Sequence, residues 1–286
     1  MSVSIIGCGW LGQALAQSLM AENITVLASY QSKSTLEQLT KLKIPATRLV
    51  LPLAVDEKVE FSASMLGIDN TLFEHEVLII AIPPQLKKGK LDYPLKIQQL
   101  VKLAELGETK QIIFLNSTAI YNGLVGEVDE NQAFNLAAEK VATLVAAEQA
   151  VQEFSQQVDI LRLAGLVGPN RHPGKFLRSD RVFTGASAQV NLVHQTDVVN
   201  IIKLLIAKSS KQSSNIYNVV SGTKVDRKSY YQVAAKALGL TTPRFEPEHV
   251  NCAGKQVVGE KLRQKLHYSY VYDDLVKWAS GVYINA

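Results

Sequence analysis

Apolar and polar positions along the chain follow two alternating periods. Short apolar runs at residues 24–28, 48–53, 77–82, 111–115 and 158–163 read as strands, as does the β-branched run that opens the chain. Between them, helical spacing predicts helices over 10–21, 34–42, 93–106 and 134–157, with two more over 226–238 and 259–279. Residues 56–76 are polar and carry no assignable period. Strands alternating with helices predict an α/β fold, a doubly wound parallel sheet covered on both faces. In such a sheet ligands collect beyond the carboxyl ends of the strands, so the residues just after each run carry the chemistry.

The opening run empties into Gly7-Cys8-Gly9-Trp10-Leu11-Gly12, and Leu11, Leu15 and Leu19 mark the buried stripe of the helix behind it. Gly7 permits a sharp turn out of the strand. Gly9 removes the Cβ that would hold a pyrophosphate away from backbone N–H groups, and Gly12 lets helix and strand pack closely. This is the pattern of a Rossmann dinucleotide site, with Gly7, Gly9, Trp10, Leu11 and Gly12 cradling phosphates at a helix N-terminus. The same three glycines also make an ordinary turn, and the strand before and helix after them favour the nucleotide reading.

After the second strand, an NAD site places an acid about twenty residues beyond the glycines, to hold the ribose 2′-hydroxyl. Here the residues are Tyr30, Gln31, Ser32 and Lys33, and no acid stands between Glu22 and Glu37. A hydroxyl and a cation suit a 2′-phosphate, which points to NADP, with NAD kept as the alternative; Lys33 also reads as a solvated lysine at a helix start. The 77–82 run continues into Ala81, Ile82, Pro83 and Pro84, whose prolines hold the chain extended beside the adenosine-phosphate half of a dinucleotide or act as a loop brake. The 111–115 run leads to Ser117, Thr118 and Tyr121, small hydroxyls and a phenol at the sheet edge, with Gly123 and Gly126 loosening the loop after them.

Composition limits the alternatives. The chain has 286 residues, 47% of them apolar, enough for a large core and an appendage. The expected division is a dinucleotide-binding domain over 1–165 and a smaller C-terminal substrate lobe over 166–286, some segments of which return to the main sheet. A net charge of +4 spread along the chain describes a solvated surface and gives no nucleic-acid footprint. Cys8 and Cys252 make neither a disulfide framework nor a metal site, so no metal is expected and a cytoplasmic, reducing setting is the simplest. No basic leader and no apolar run of membrane-spanning length is seen.

Several motifs in order resemble the extended short-chain dehydrogenase/reductase superfamily, the NAD-dependent sugar epimerases and dehydratases. They are the glycine pattern, Ser117-Thr118-Ala119-Ile120-Tyr121, Val128-Asp129-Glu130, Leu161-Arg162-Leu163-Ala164-Gly165-Leu166-Val167-Gly168-Pro169, Arg171-His172-Pro173-Gly174, Asn191-Leu192-Val193-His194-Gln195-Thr196-Asp197-Val198 and Tyr217-Asn218-Val219-Val220. The resemblance covers almost the whole chain. Within the superfamily it is most similar to the atypical SDR members grouped around the bacterial YeeZ protein, whose glycine loop is likewise Gly-x-Gly-x-x-Gly.

The resemblance implies an oxidoreductase or epimerase/dehydratase acting on a small anionic or sugar-nucleotide substrate, as a monomer or homodimer. It also implies a Tyr-x-x-x-Lys pair, and none of the ten tyrosines has a lysine four residues later. Aligned through Ala147-Glu148-Gln149, Lys140 takes the tyrosine's place and Leu144 the lysine's. Ser117 matches the family's substrate-orienting hydroxyl, Tyr121 reads as a substitute acid or as a packing residue like its family counterpart, and Lys140 as a ribose or phosphate contact or as a plain exposed helix lysine. Unaided, a serine is a poor general base at neutral pH. Arg171 and His172, with Lys175, Arg178 and Arg181 beyond, would meet an anionic substrate. His194 and Asp197 match a structural Val-His-x-x-Asp that braces the lobe. The missing pair also fits a catalytically inactive NADP(H)-binding sensor, and that alternative stays open.

Overall fold

The opening run forms β1 (Ser2–Ile6), and its glycines lead into α1 (Trp10–Ala21). The chain continues through β2 (Thr25–Tyr30), α2 (Lys33–Lys41), β3 (Ala46–Arg48), α3 (Thr71–Glu74), β4 (Val77–Ile80), α4 (Tyr93–Leu106), β5 (Gln111–Ser117) and α5 (Glu139–Gln152). This computed structural model describes residues 1–54, 61–64, 66–177, 182–208, 214–247 and 254–281.

Seven strands form one sheet in the order β3, β2, β1, β4, β5, Gln157–Leu163, Asn215–Val219. The pairs from β3 to β5 are parallel, with Val3 opposite Val26 on one side and Val77 on the other. The strand order reverses between β1 and β4, and their carboxyl ends are where a doubly wound sheet opens a crevice. Every residue of β4 is buried, as a parallel strand covered on both faces requires. The expected α/β doubly wound sheet is therefore present.

Three elements depart from the sequence reading. The run at 48–53 is not a strand, because β3 ends at Arg48. Pro52 has no N–H to give a ladder, and the backbone of Leu53 pairs with a side chain instead, its N–H donating to Gln99 Oε1 at 2.8 Å and its carbonyl accepting from Gln99 Nε2 at 3.1 Å. The 134–157 helix is shortened at both ends to Glu139–Gln152, since Phe134 lies over the Arg162 guanidinium (5.1 Å) and Gln157 already belongs to a strand. The 259–279 helix is two helices, Glu260–Leu266 and Leu275–Ala279. His267 takes the left-handed conformation (φ 52°) and stops the first, and the Asp274 carboxylate caps the second by accepting from the Val276 and Lys277 N–H groups at 3.0 and 3.1 Å.

The chain forms two compact units. The first comprises Met1–Ser117, Glu139–Leu161 and Ile202–Ile216; the second comprises Thr118–Ala138, Arg162–Ile201 and Tyr217–Ala286. The second holds short parallel pairs, Gly165–Val167 with Leu192–His194 and Gly126–Val128 with Lys255–Val257. Its core gathers Val167, Val190, Tyr230, Ala234, Leu275 and Ala279. Among the described residues no helix is long and apolar enough to cross a membrane.

Candidate nucleotide site and the residues around Ser117

Gly7 is required twice over: its φ is +95°, and a Cβ would stand 2.8 Å from the Ala81 carbonyl carbon and the Ile82 nitrogen. The ends of β1 and β4 thus touch through backbone, and the Ala81 N–H donates to the Ile6 carbonyl at 2.8 Å. Gly9 is different. A Cβ there would meet nothing within 4 Å, its φ is −84°, and it stands at the N-cap of α1 without a side-chain cap. At Gly12 a Cβ would lie 3.2 Å from the Gly7 carbonyl, so this glycine sets the approach of α1 to the strand. Trp10 and Leu11, both half-buried, begin α1, whose first turn contains no acid. The result is an exposed glycine in front of an uncapped, positive helix end. Cys8 turns into the core, and burial pushes its thiol up to about 12, so it stays a protonated packing group.

At the far end, Ser29 accepts a hydrogen bond from the Gly7 N–H at 3.2 Å, and Tyr30 closes β2. Gln31, Ser32 and Lys33 are exposed. Ser32 has a structural task, because its hydroxyl caps α2 by accepting from the Thr35 N–H at 3.2 Å. Beyond β4, Ala81 and Ile82 are half-buried and Pro83 is exposed.

Ser117 ends β5, half-buried. The residue before it, Asn116, donates to Glu148 Oε1 at 2.7 Å and to the Leu144 carbonyl at 3.3 Å, fastening the end of β5 to α5. Leu144 is buried and Lys140 is exposed in the first turn of α5. The two positions expected for a proton-transfer pair therefore hold a solvated cation and a core leucine.

In the second unit, Tyr121 is fully buried, and its place differs from that of an available acid. Its hydroxyl accepts from Arg162 Nη1 at 2.6 Å and donates to Asn218 Oδ1 at 2.9 Å, and burial raises it above the ordinary phenol range. Arg162 also donates to the Glu130 carbonyl at 3.2 Å, and Glu130 Oε1 accepts from the Asn218 N–H at 2.7 Å. Four of the quoted motifs thus meet in one network, which occupies Tyr121. Lys255 carried no signal in the sequence. Its ammonium donates to the Thr118 carbonyl and to Asn122 Oδ1 (2.8 Å), across more than a hundred residues of chain.

His172 also departs from its expected role as a substrate ligand. Its Nδ1 accepts from the Gly174 N–H at 3.2 Å, which leaves the proton on Nε2, 2.9 Å from the Ala279 carbonyl. Both nitrogens are thereby used within the fold. The Arg171 guanidinium lies 5.9 Å over the exposed Phe176 ring, and Lys175 is exposed. Arg178, Arg181 and Cys252 lie outside the described residues.

His194 and Asp197 hold the chain between residues 268 and 278. Asp197 accepts from Tyr268 Oη and the Val271 N–H, both at 2.7 Å, and from the Tyr272 N–H at 3.1 Å. The His194 ring lies tilted against Tyr272 with centroids 3.8 Å apart, its Nδ1 accepting from the Thr196 N–H at 3.2 Å and its buried Nε2 without a partner among the described residues. Burial lowers its pKa from 6.5 to about 4. A base whose folded pKa is depressed gives full stability above its unfolded value and loses it as the pH falls toward the folded one. Between pH 6.5 and pH 4 the wild type should lose up to about 3 kcal/mol more than His194→Asn, measured by urea unfolding. Equal pH slopes in the two proteins would rule out a buried neutral imidazole.

No family model matches the chain. Protein YeeZ of Escherichia coli K12 is 32% identical over 276 residues, spanning 95% of this chain and 96% of that protein. The chain belongs to the YeeZ family. Among solved structures, the UDP-glucuronic acid 4-epimerase of Bacillus cereus in complex with NAD superposes on this YeeZ-family chain with a TM-score of 0.74 at 16% identity, over 98% of this chain and 96% of that one. The UDP-N-acetylglucosamine 4-epimerase of the same species gives 0.74 at 14% identity, over 100% and 99%. The YeeZ-family chain thus shares the fold of these two epimerase structures.

Proposed function

We propose that this chain is an NAD(P)-dependent oxidoreductase or epimerase/dehydratase-like enzyme acting on a small anionic or sugar-nucleotide-type substrate, by a proton route that does not use Tyr-x-x-x-Lys. The observation that carries the reading is the exposed Gly9 at the uncapped N-terminus of α1, set where the strand order reverses. A pyrophosphate fits there: a Cβ at Gly9 would have open space around it, and the helix end is positive. A bound nicotinamide would supply hydride transfer at its C4. Ser117 would orient the reacting hydroxyl or carbonyl, Lys140 would meet a ribose or phosphate oxygen, and the second unit, with Arg171, would carry the substrate contacts. The absence of an acid from 23 to 36, with Lys33 exposed at the start of α2, supports NADP over NAD.

The test is a fluorescence titration with NADPH, NADH and their oxidised forms. NADPH should bind more tightly, and Lys33→Glu should weaken it by about tenfold while sparing NADH, since a charge reversal beside a phosphate costs on the order of a kcal/mol or more. Equal affinities for the two reduced cofactors would remove the NADP reading. One observation favours a second reading, a cofactor-binding sensor without turnover: Leu144 is buried and Lys140 solvated where the pair should be. Binding of NADPH with no turnover across a broad substrate screen would move that reading ahead.

A further inference from the structure

We propose that Arg48, on β3, is the residue that selects a 2′-phosphorylated dinucleotide; the proposal rests on the NADP reading above and deepens it. β2 and β3 run parallel with Ser29 opposite Thr47 and Tyr30 opposite Arg48. The Ser29 hydroxyl is turned to the Gly7 N–H. Side chains alternate along a strand, so Tyr30 leaves the sheet on the opposite face. Its in-register neighbour Arg48 leaves on that same face, about 4.8 Å away across the strands.

Tyr30 stands about twenty residues beyond the glycines, where a ribose-binding acid would be. Arg48 therefore flanks the ribose position from the adjacent strand. It is exposed, and no ion pair with a described residue engages it. Among the described residues, Asp69 lies with the other face, since Thr47 hydrogen-bonds it. Ser32 is committed to capping α2, and Lys33 offers a point charge. A guanidinium fork can grip two phosphate oxygens at once, whereas a ribose hydroxyl gains little from it. The cation that discriminates is thus carried by a strand that sequence spacing alone does not bring to the nucleotide.

The experiment measures dissociation constants for NADPH, NADH, 2′,5′-ADP and 5′-AMP with the full chain, for wild type, Arg48→Ala, Arg48→Lys and Lys33→Ala. Thermal melts confirm folding. Arg48→Ala should weaken NADPH and 2′,5′-ADP by about 10- to 100-fold and leave NADH and 5′-AMP unchanged. Arg48→Lys should recover part of the loss, and Lys33→Ala should lose less than Arg48→Ala. A wild type with no preference for 2′-phosphorylated ligands overturns the cofactor reading and this proposal with it. A preference that persists in folded Arg48→Ala overturns the assignment to Arg48 and leaves the cofactor reading standing.

Discussion

Gly9→Asp should abolish dinucleotide binding while leaving the protein folded, with a melting temperature equal to or above that of the wild type. The backbone at Gly9 (φ −84°, ψ −154°) is extended and open to any residue, and a Cβ there meets nothing within 4 Å. An aspartate at this N-cap would accept from the first-turn N–H groups of α1, a change that typically adds a few tenths to about 1 kcal/mol. The same carboxylate would occupy the pyrophosphate approach, and like charges in contact cost several kcal/mol, so affinity should fall by at least about a hundredfold. Gly7→Ala is the contrast. Its Cβ would sit 2.8 Å from backbone atoms at a φ of +95°, so that variant should lose stability first. Calorimetry and cofactor titration on both variants separate the two glycines, and full cofactor affinity in folded Gly9→Asp would reduce the loop to a turn.

Ser117→Ala should lower turnover by about a hundredfold to a thousandfold, the usual cost of removing one placed hydrogen-bond donor from a developing oxyanion. NADPH affinity should stay near the wild-type value, because the phosphates are expected at the β1–α1 loop and Ser117 ends β5. The neighbouring tie from Asn116 to Glu148 does not involve the Ser117 side chain, so the end of β5 should keep its place in the variant. The measurement is NADPH oxidation against carbonyl compounds, sugar nucleotides and phosphorylated aldehydes, wild type and variant side by side. Unchanged turnover in the variant on any accepted substrate would remove Ser117 from the chemistry.

What could be read in advance was what depends on near neighbours. The bounds of α4 emerge to the residue because Tyr93-Pro94 opens it and Gly107 follows it, both local signals. The glycine loop was equally legible, since a turn, an open Cβ position and a close helix approach are each met within six residues. The 48–53 run reads as a strand in the sequence because the partner of the Leu53 backbone is a side chain 46 positions away. Tyr121 and His172 looked chemically available because Asn218 and Ala279, which occupy them, stand 97 and 107 positions along the chain. Arg48 was passed over for the same reason: no spacing rule links residue 48 to residue 30, and only the register of β2 and β3 does.

The Tyr121–Arg162–Asn218 network also bears on how the protein is made. Asn218 Nδ2 donates to the Val258 carbonyl at 3.0 Å, so the set of bonds is complete only after residue 258 has been synthesised. By contrast, β1 to β5 and their pairings are contained in the first 117 residues. On a ribosome emitting residues in order, the sheet segment can pair early, while the Tyr121 hydroxyl waits about a hundred residues for Asn218, whose amide then waits about forty more for the Val258 carbonyl. Truncation upstream of 258 should leave the Asn218 amide without that acceptor, and such chains should expose the second unit to proteolysis before the sheet.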